Sequence, residues 1–220
     1  MWARGQADIQ DLPEIWVQEF PKRVTISFPA YLAVKGYAEK LFSSVLSYFQ
    51  GFKGFPGYEV IDVEKEFTSS LGGECFTGII DLVLRNMETG KIMLVDHKSS
   101  SLSTFKRERD VMFRQLLLYS KHIADNYGQF PELLYFNLFK ENTFDQRPFD
   151  PEEYVFARIW AEEIIKKMKN MDLSDWLETK PQLFFCTALC SCRHECLFGN
   201  PNNHERKKKT NEDRRTAAVA

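Results

Sequence analysis

Apolar positions along this chain follow two rhythms, and the switches between them mark its elements. From 29 to 51, Val34, Tyr37, Ala38, Leu41, Phe42, Val45, Tyr48 and Phe49 recur at i, i+3, i+4 and i+7, which predicts an amphipathic helix. A loop with Gly51, Gly54, Pro56 and Gly57 ends it. Residues 58–69 alternate as a strand, with Val60, Asp62, Glu64 and Glu66 on one side, and Leu71, Gly72 and Gly73 form the following turn. The stretches 75–85 and 91–99 are rich in β-branched and apolar residues, and the turn composition of 86–90 between them predicts a hairpin. Helical spacing returns at 104–127 through Phe105, Met112, Leu116, Ile123 and Tyr127, with Ser103 expected as N-cap. Residues 133–139 are nearly all apolar, as in a strand buried on both faces, and Asn137 among them needs a hydrogen-bond partner. Asp150, Pro151, Glu152 and Glu153 start a last helix that runs to about 170, with Ala157, Ile159, Trp160, Ile164 and Met168 expected to pack. The N-terminal 1–21 has no persuasive period and reads as a short helix with loops. This order gives an α/β fold, a mixed central β-sheet flanked by helices.

Composition narrows the classes without naming one. A chain of 220 residues that is 44% hydrophobic supports a single well-packed core, here expected over 1–200 with a basic, aperiodic and disordered tail over 201–220. A formal net charge of −2 supplies no global basic field, so affinity for nucleic acid has to come from local charge. Neither a membrane-length apolar run nor a secretory leader is visible, so a cytoplasmic protein is expected. In a reducing compartment the five cysteines read as thiols or metal ligands, not as a disulfide framework. Four of them, Cys186, Cys190, Cys192 and Cys196, lie within eleven residues, a density that suits a structural centre of thiolates holding Zn²⁺ or an iron–sulfur cluster; Cys75, inside a strand, reads as buried packing.

The candidate chemistry sits on the hairpin. Asp81 interrupts the apolar run of its first strand, and Asp96 and Lys98, two apart on the second, point to one face; paired in register the three converge. Two carboxylates and a main-chain carbonyl, that of His97, suit a hard cation such as Mg²⁺ or Mn²⁺, and a lysine beside them can orient or deprotonate an attacking water. A bare surface hairpin carrying an Asp–Lys pair is the competing reading. Gln115 and Tyr119, four apart on the next helix, stack on one side of it. Glu66 neighbours Asp81 if the strands pair, although an acidic row on a strand is ordinarily a solvated face.

Taken together, Gly78-Ile79-Ile80-Asp81, then Ile92 to Val95 leading into Asp96-His97-Lys98-Ser99, then Gln115-Leu116-Leu117-Leu118-Tyr119 resembles the RecB-like branch of the PD-(D/E)XK nuclease superfamily. The resemblance implies a restriction-endonuclease-like core in which Asp81 and Asp96 bind the metal, Lys98 serves the water, and Gln115 and Tyr119 brace the site or the DNA. It places a further metal-site contributor, a Glu or His, near the early helix, where Glu39 stands at the border of the apolar stripe with a solvent-exposed position as the equal alternative. It also implies a DNA nuclease, an exonuclease in recombination, repair or phage DNA processing, with single strands or duplex ends as substrate and a helicase or recombination protein as partner. Lys106, Arg107 and Arg109 oppose the helix dipole in a first turn and are DNA-contact candidates, a solvated face with Glu108 and Asp110 being the plain alternative. For the cysteines the resemblance favours [4Fe–4S], while their spacing departs from the family's and keeps Zn²⁺, or no metal at all, open. The rival from another class is a catalytically silent DNA-end-binding protein with the same fold.

Overall fold

The computed structural model describes residues 2–24, 36–172 and 190. The chain divides into two units, Met1–Thr25 with Gly36–Asn170, and Ile26–Lys35 with Met171–Ala220. The first unit carries a five-stranded sheet in the order β1 (Tyr58–Leu71), β2 (Glu74–Asn86), β3 (Ile92–His97), β4 (Leu133–Leu138), β5 (Thr143–Pro148). Its helices are α1 (Leu12–Arg23), α2 (Tyr37–Gly51), α3 (Leu102–Tyr127) and α4 (Pro151–Asn170). The expected α/β fold with a mixed sheet is what the chain adopts. Three of the pairings are antiparallel and β3·β4 is parallel. A parallel pair needs a crossover, and α3 supplies it.

The middle strand sets the core. Ile92, Met93, Leu94 and Val95 of β3 are all 3% exposed or less, because β2 and β4 flank this strand and side-chain clusters cover both faces. One cluster joins Ile80, Val83 and Leu94 to Phe105, Phe113, Leu116 and Ile123 of α3 and to Phe136 of β4. The other gathers Leu82, Leu84, Met93 and Val95 with Phe55, Val60, Val63 and Tyr135 around them. Each fully buried side chain of this size contributes about 1.5–3 kcal/mol. Across the first cluster, Phe113 lies between the guanidinium groups of Arg109 and Arg147, 4.7 and 4.3 Å from its centroid, which ties α3 to the edge strand β5.

Several expectations are corrected. Strand β5 was not legible, because Thr-Phe-Asp-Gln-Arg-Pro is an edge strand whose alternate residues meet water and which carries little apolar signal. The cap of α3 is Ser101, whose Oγ accepts from the Thr104 N–H at 3.3 Å; Ser103 lies inside the first turn. In α4 the small residues Ala157 and Ala161 are buried, while Ile159, Trp160 and Met168 stay 41–54% exposed, so the helix approaches its neighbours through alanines. Arg114 of α3 covers the Trp160 ring at 4.1 Å. Cys75 is exposed, not packed, on β2. Helix α2 is described from Tyr37, and the earlier part of the expected 29–51 helix lies outside the described residues. Among the described residues no helix is long and apolar enough to cross a membrane.

Candidate active site

The open end of the β2–β3 pair builds the site. The register runs Arg85↔Ile92 to Leu82↔Val95, so one step further Asp81 and Asp96 stand opposite each other. The chain has no reason to bury an acid in the strand that forms its core, yet Asp96 is 5% exposed. Burial pushes its carboxyl above the ordinary carboxylate range, Lys98 opposes that shift, and the charge of Asp81 adds to it. Asp81, partly exposed, accepts the main-chain N–H of His97 on Oδ2 at 2.7 Å.

Lys98 is held from three directions. Its Nζ donates to Asp96 Oδ1 at 3.2 Å and to Gln115 Oε1 at 3.2 Å, and it stands 5.6 Å from the centroid of Phe136. Nζ also lies 2.9 Å from Asp96 Oδ2, but that approach lacks hydrogen-bond alignment, so it counts as ion pairing and Oδ2 remains a buried oxygen without a hydrogen bond. Gln115 Nε2 in turn donates to Tyr119 Oη at 3.0 Å. The i, i+4 spacing on α3 makes that bond possible. Tyr119 is wedged against Phe67, 5.1 Å between centroids, and against the backbone at Gly78, where any Cβ would stand 3.0 Å from its ring. Asp81, Asp96, Lys98, Gln115 and Tyr119 therefore form one connected group at the end of β3.

The main chain at His97 joins the same group. The N–H of Lys98 donates to the Asn137 carbonyl on β4 at 2.9 Å. In a planar trans peptide the C=O of residue 97 points opposite to that N–H. It is thereby directed away from β4, toward the side on which Asp81 accepts the His97 N–H. Protein packed around the His97 imidazole lowers its pKa, Asp81 opposing, even though the residue as a whole is exposed.

A cation fits this donor set on two observations: the buried Asp96 Oδ2 has no hydrogen bond to satisfy it, and two carboxylates and a carbonyl are hard oxygen ligands. The other sequence candidates lie elsewhere. Glu66 pairs with Ile79, not with Asp81, and is exposed, while the Glu39 carboxylate turns back toward Gly36 at the start of its own helix. Among the described residues no third histidine, cysteine or acid joins the two aspartates, so neither glutamate is brought to them. Lys106 and Arg107 are exposed on α3. Arg109 instead makes a two-pronged bond to Asp145 of β5, at 2.6 and 2.8 Å, which commits its guanidinium to the fold. Cys186, Cys192 and Cys196 lie outside the described residues, and Cys190 is partly buried.

Residues 4–197 of the chain match a family model, that of the PD-(D/E)XK nuclease superfamily. The chain belongs to that superfamily. Its fold is a nuclease fold, and metal-dependent nuclease activity is general among superfamily members. No curated protein matches the chain.

The residue that sequence reasoning underused is Asn137. It sits 5% exposed beside His97, and its Nδ2 reaches Tyr48 Oη at 2.6 Å and His97 Nδ1 at 2.9 Å. A lone polar residue in an apolar strand was the available signal. Its partners, 89 and 40 residues away in sequence, were not visible.

Proposed function

We propose that the protein is a Mg²⁺- or Mn²⁺-dependent deoxyribonuclease of the RecB-like type that degrades DNA from single-stranded or duplex ends, in recombination, repair or phage DNA processing. The observation that carries the reading is the buried Asp96–Lys98 pair joined to Asp81 at the open end of β3. Burying an acid whose Oδ2 has no hydrogen bond and only the Lys98 ammonium beside it costs stability, and groups so placed cluster at functional sites.

Asp81, Asp96 and the His97 carbonyl would hold the cation, which supplies Lewis acidity toward a phosphate oxygen and a nearby water of lowered pKa. Lys98, fixed by Asp96 and Gln115, orients the attacking water and sets an ammonium against the charge that grows on the phosphoryl oxygens. The water oxygen bonds to phosphorus, its proton leaves to the neighbouring base or solvent, the P–O bond to the leaving strand breaks, and the departing oxygen is protonated. Gln115 and Tyr119 act by position, stiffening Lys98 from behind. Lys106 and Arg107 are proposed to meet the DNA backbone. The cysteines at 186, 190, 192 and 196 are proposed to hold [4Fe–4S] or Zn²⁺ as a structural centre, and a helicase or recombination protein is the proposed partner.

Digestion of end-labelled single- and double-stranded DNA, with open or covalently blocked ends, by anaerobically purified protein in Mn²⁺ tests the reading. Loss of label from open ends only is the expected result. Equal cleavage of blocked substrates contradicts the end-dependent part, and binding without cleavage on every substrate favours the silent DNA-end-binding rival.

A further inference from the structure

Behind the metal-facing edge of β3 runs a second polar chain, buried at Tyr48 and Asn137 and open to solvent at His97, that the reaction does not use directly. Asn137 pairs with His97 across the parallel β3·β4 register. It meets the end of β3 twice: its main-chain carbonyl takes the Lys98 N–H at 2.9 Å, as any residue there would, and its side-chain Nδ2 meets His97 Nδ1 at 2.9 Å. The amide also donates to Tyr48 Oη at 2.6 Å, which links the grip to α2, where Tyr48 is itself buried. With Nδ2 as donor to both, His97 accepts on Nδ1. The imidazole is thus fixed from the side opposite Asp81, while the main-chain N–H of the same residue is held by Asp81 Oδ2.

We infer that Asn137, backed by Tyr48, is a positioning residue that sets the His97–Lys98 peptide against Asp81 and Asp96. The inference builds on the reading of Asp81, Asp96 and the His97 carbonyl as the cation's cradle. The carbonyl at 97 has no side chain of its own to steer it. Its direction depends on the Lys98 N–H, anchored on β4, and on the His97 ring, anchored on the Asn137 amide. Partners that orient ligands in this way are worth about 10–100-fold in metal affinity. Tyr48 is one bond further out and matters less.

The full chain is compared as wild type, Asn137→Leu and Tyr48→Phe. The amides of His97 and Lys98 are followed in proton–nitrogen correlation spectra of metal-free protein, with Gly128 at the far end of α3 as a remote reporter. Each protein is then titrated with Mn²⁺ alone by electron paramagnetic resonance. In Asn137→Leu the His97 amide is expected to move and Mn²⁺ binding to weaken about 10-fold or more. Tyr48→Phe should move the same resonance in the same direction by less, with Gly128 unmoved in both. Tyr48→Phe removes one hydroxyl and carries the test if the Asn137 variant does not fold. Unmoved His97 and Lys98 amides in folded variants overturn the inference, even where Mn²⁺ binding confirms the cradle. Moved amides in a protein that binds no Mn²⁺ uphold the positioning role and sink the metal reading alone.

Discussion

Replacing Asp96 by asparagine should make the metal-free protein more stable while removing its metal site. The side chain keeps its shape in this change and loses its charge. Asp96 is 5% exposed, its Oδ2 has no hydrogen bond, and burial and the Asp81 charge both hold its pKa above the ordinary value. The asparagine keeps two buried polar atoms, so what the change relieves is the cost of burying the charge, about 1–3 kcal/mol. Against this stands the lost attraction to Lys98, whose side chain is 25% exposed, worth about 1 kcal/mol. A net gain of roughly 1 kcal/mol follows, or about 2–4 °C in Tm for a domain of this size. The pH dependence has a definite sign. A carboxyl whose folded pKa lies above its unfolded value, about 3.9, imposes no cost below that value and its full cost above the folded pKa. The advantage of the asparagine variant should therefore be absent in acid, grow as pH rises, and be complete once pH has passed the folded pKa. Thermal melts in EDTA across this range measure it. Adding Mn²⁺ should reverse the order, since a ligand at about 100 times its Kd stabilises the wild type by about 2.7 kcal/mol and finds no complete site in the variant. An asparagine variant that melts below wild type at neutral pH in EDTA, or an offset equal in acid and at neutral pH, refutes the reasoning.

The Arg109–Asp145 pair, which holds the Asp145 carboxyl below its usual range through the arginine's hydrogen bonds, should contribute about 1 kcal/mol once its partial exposure is discounted. Because the folded pKa is the lower one, Asp145→Asn should cost this at neutral pH and nothing once pH has fallen through that value; equal loss at both ends in urea melts would assign the effect to packing. Gly78→Ala places a methyl 2.7 Å from the Phe67 ring and 3.0 Å from Tyr119, and should destabilise by about 1–3 kcal/mol and slow cleavage by displacing Tyr119; a wild-type urea midpoint would show that the rings give way freely. Gln115→Ala, which strips Lys98 of one acceptor, should slow single-turnover cleavage more than Tyr119→Phe, which keeps the ring and loses only an acceptor one bond further away. The reverse order would place Tyr119 on the substrate instead.

The site was more legible in the sequence than the frame around it. Asp81 inside an apolar run, and Asp96 and Lys98 two apart at the end of another, follow from the period of a strand alone, and the hairpin register that brings them together is set by the short turn before Lys91. Gln115 and Tyr119 were readable from helical spacing, although nothing in the sequence says that Gln115 faces Lys98 across the sheet. What stayed hidden depends on distant neighbours. Strand β5 is held by its pairing with β4 and by the grip of Arg109 on Asp145, contacts that its own short polar sequence does not announce. Glu66 is exposed, as an acidic row on a strand ordinarily is; what the sequence did not announce is the irregularity before it, a β-bulge between Val60 and Asp62 and a left-handed backbone at Glu64, φ 47°. In α4, apolar content suggested which residues could pack, but the close approach of the helix chose the alanines.

The most direct test of the central claim is single-turnover cleavage of end-labelled DNA by wild type and by Asp81→Ala, Asp96→Ala and Lys98→Ala, each in EDTA and in saturating Mn²⁺, with circular dichroism to establish folding. Cleavage by wild type is expected only with Mn²⁺, with losses of about 10²–10⁴ or more in each folded variant. Cleavage by wild type in EDTA, or near-normal rates in folded Lys98→Ala and Asp81→Ala, would contradict that claim.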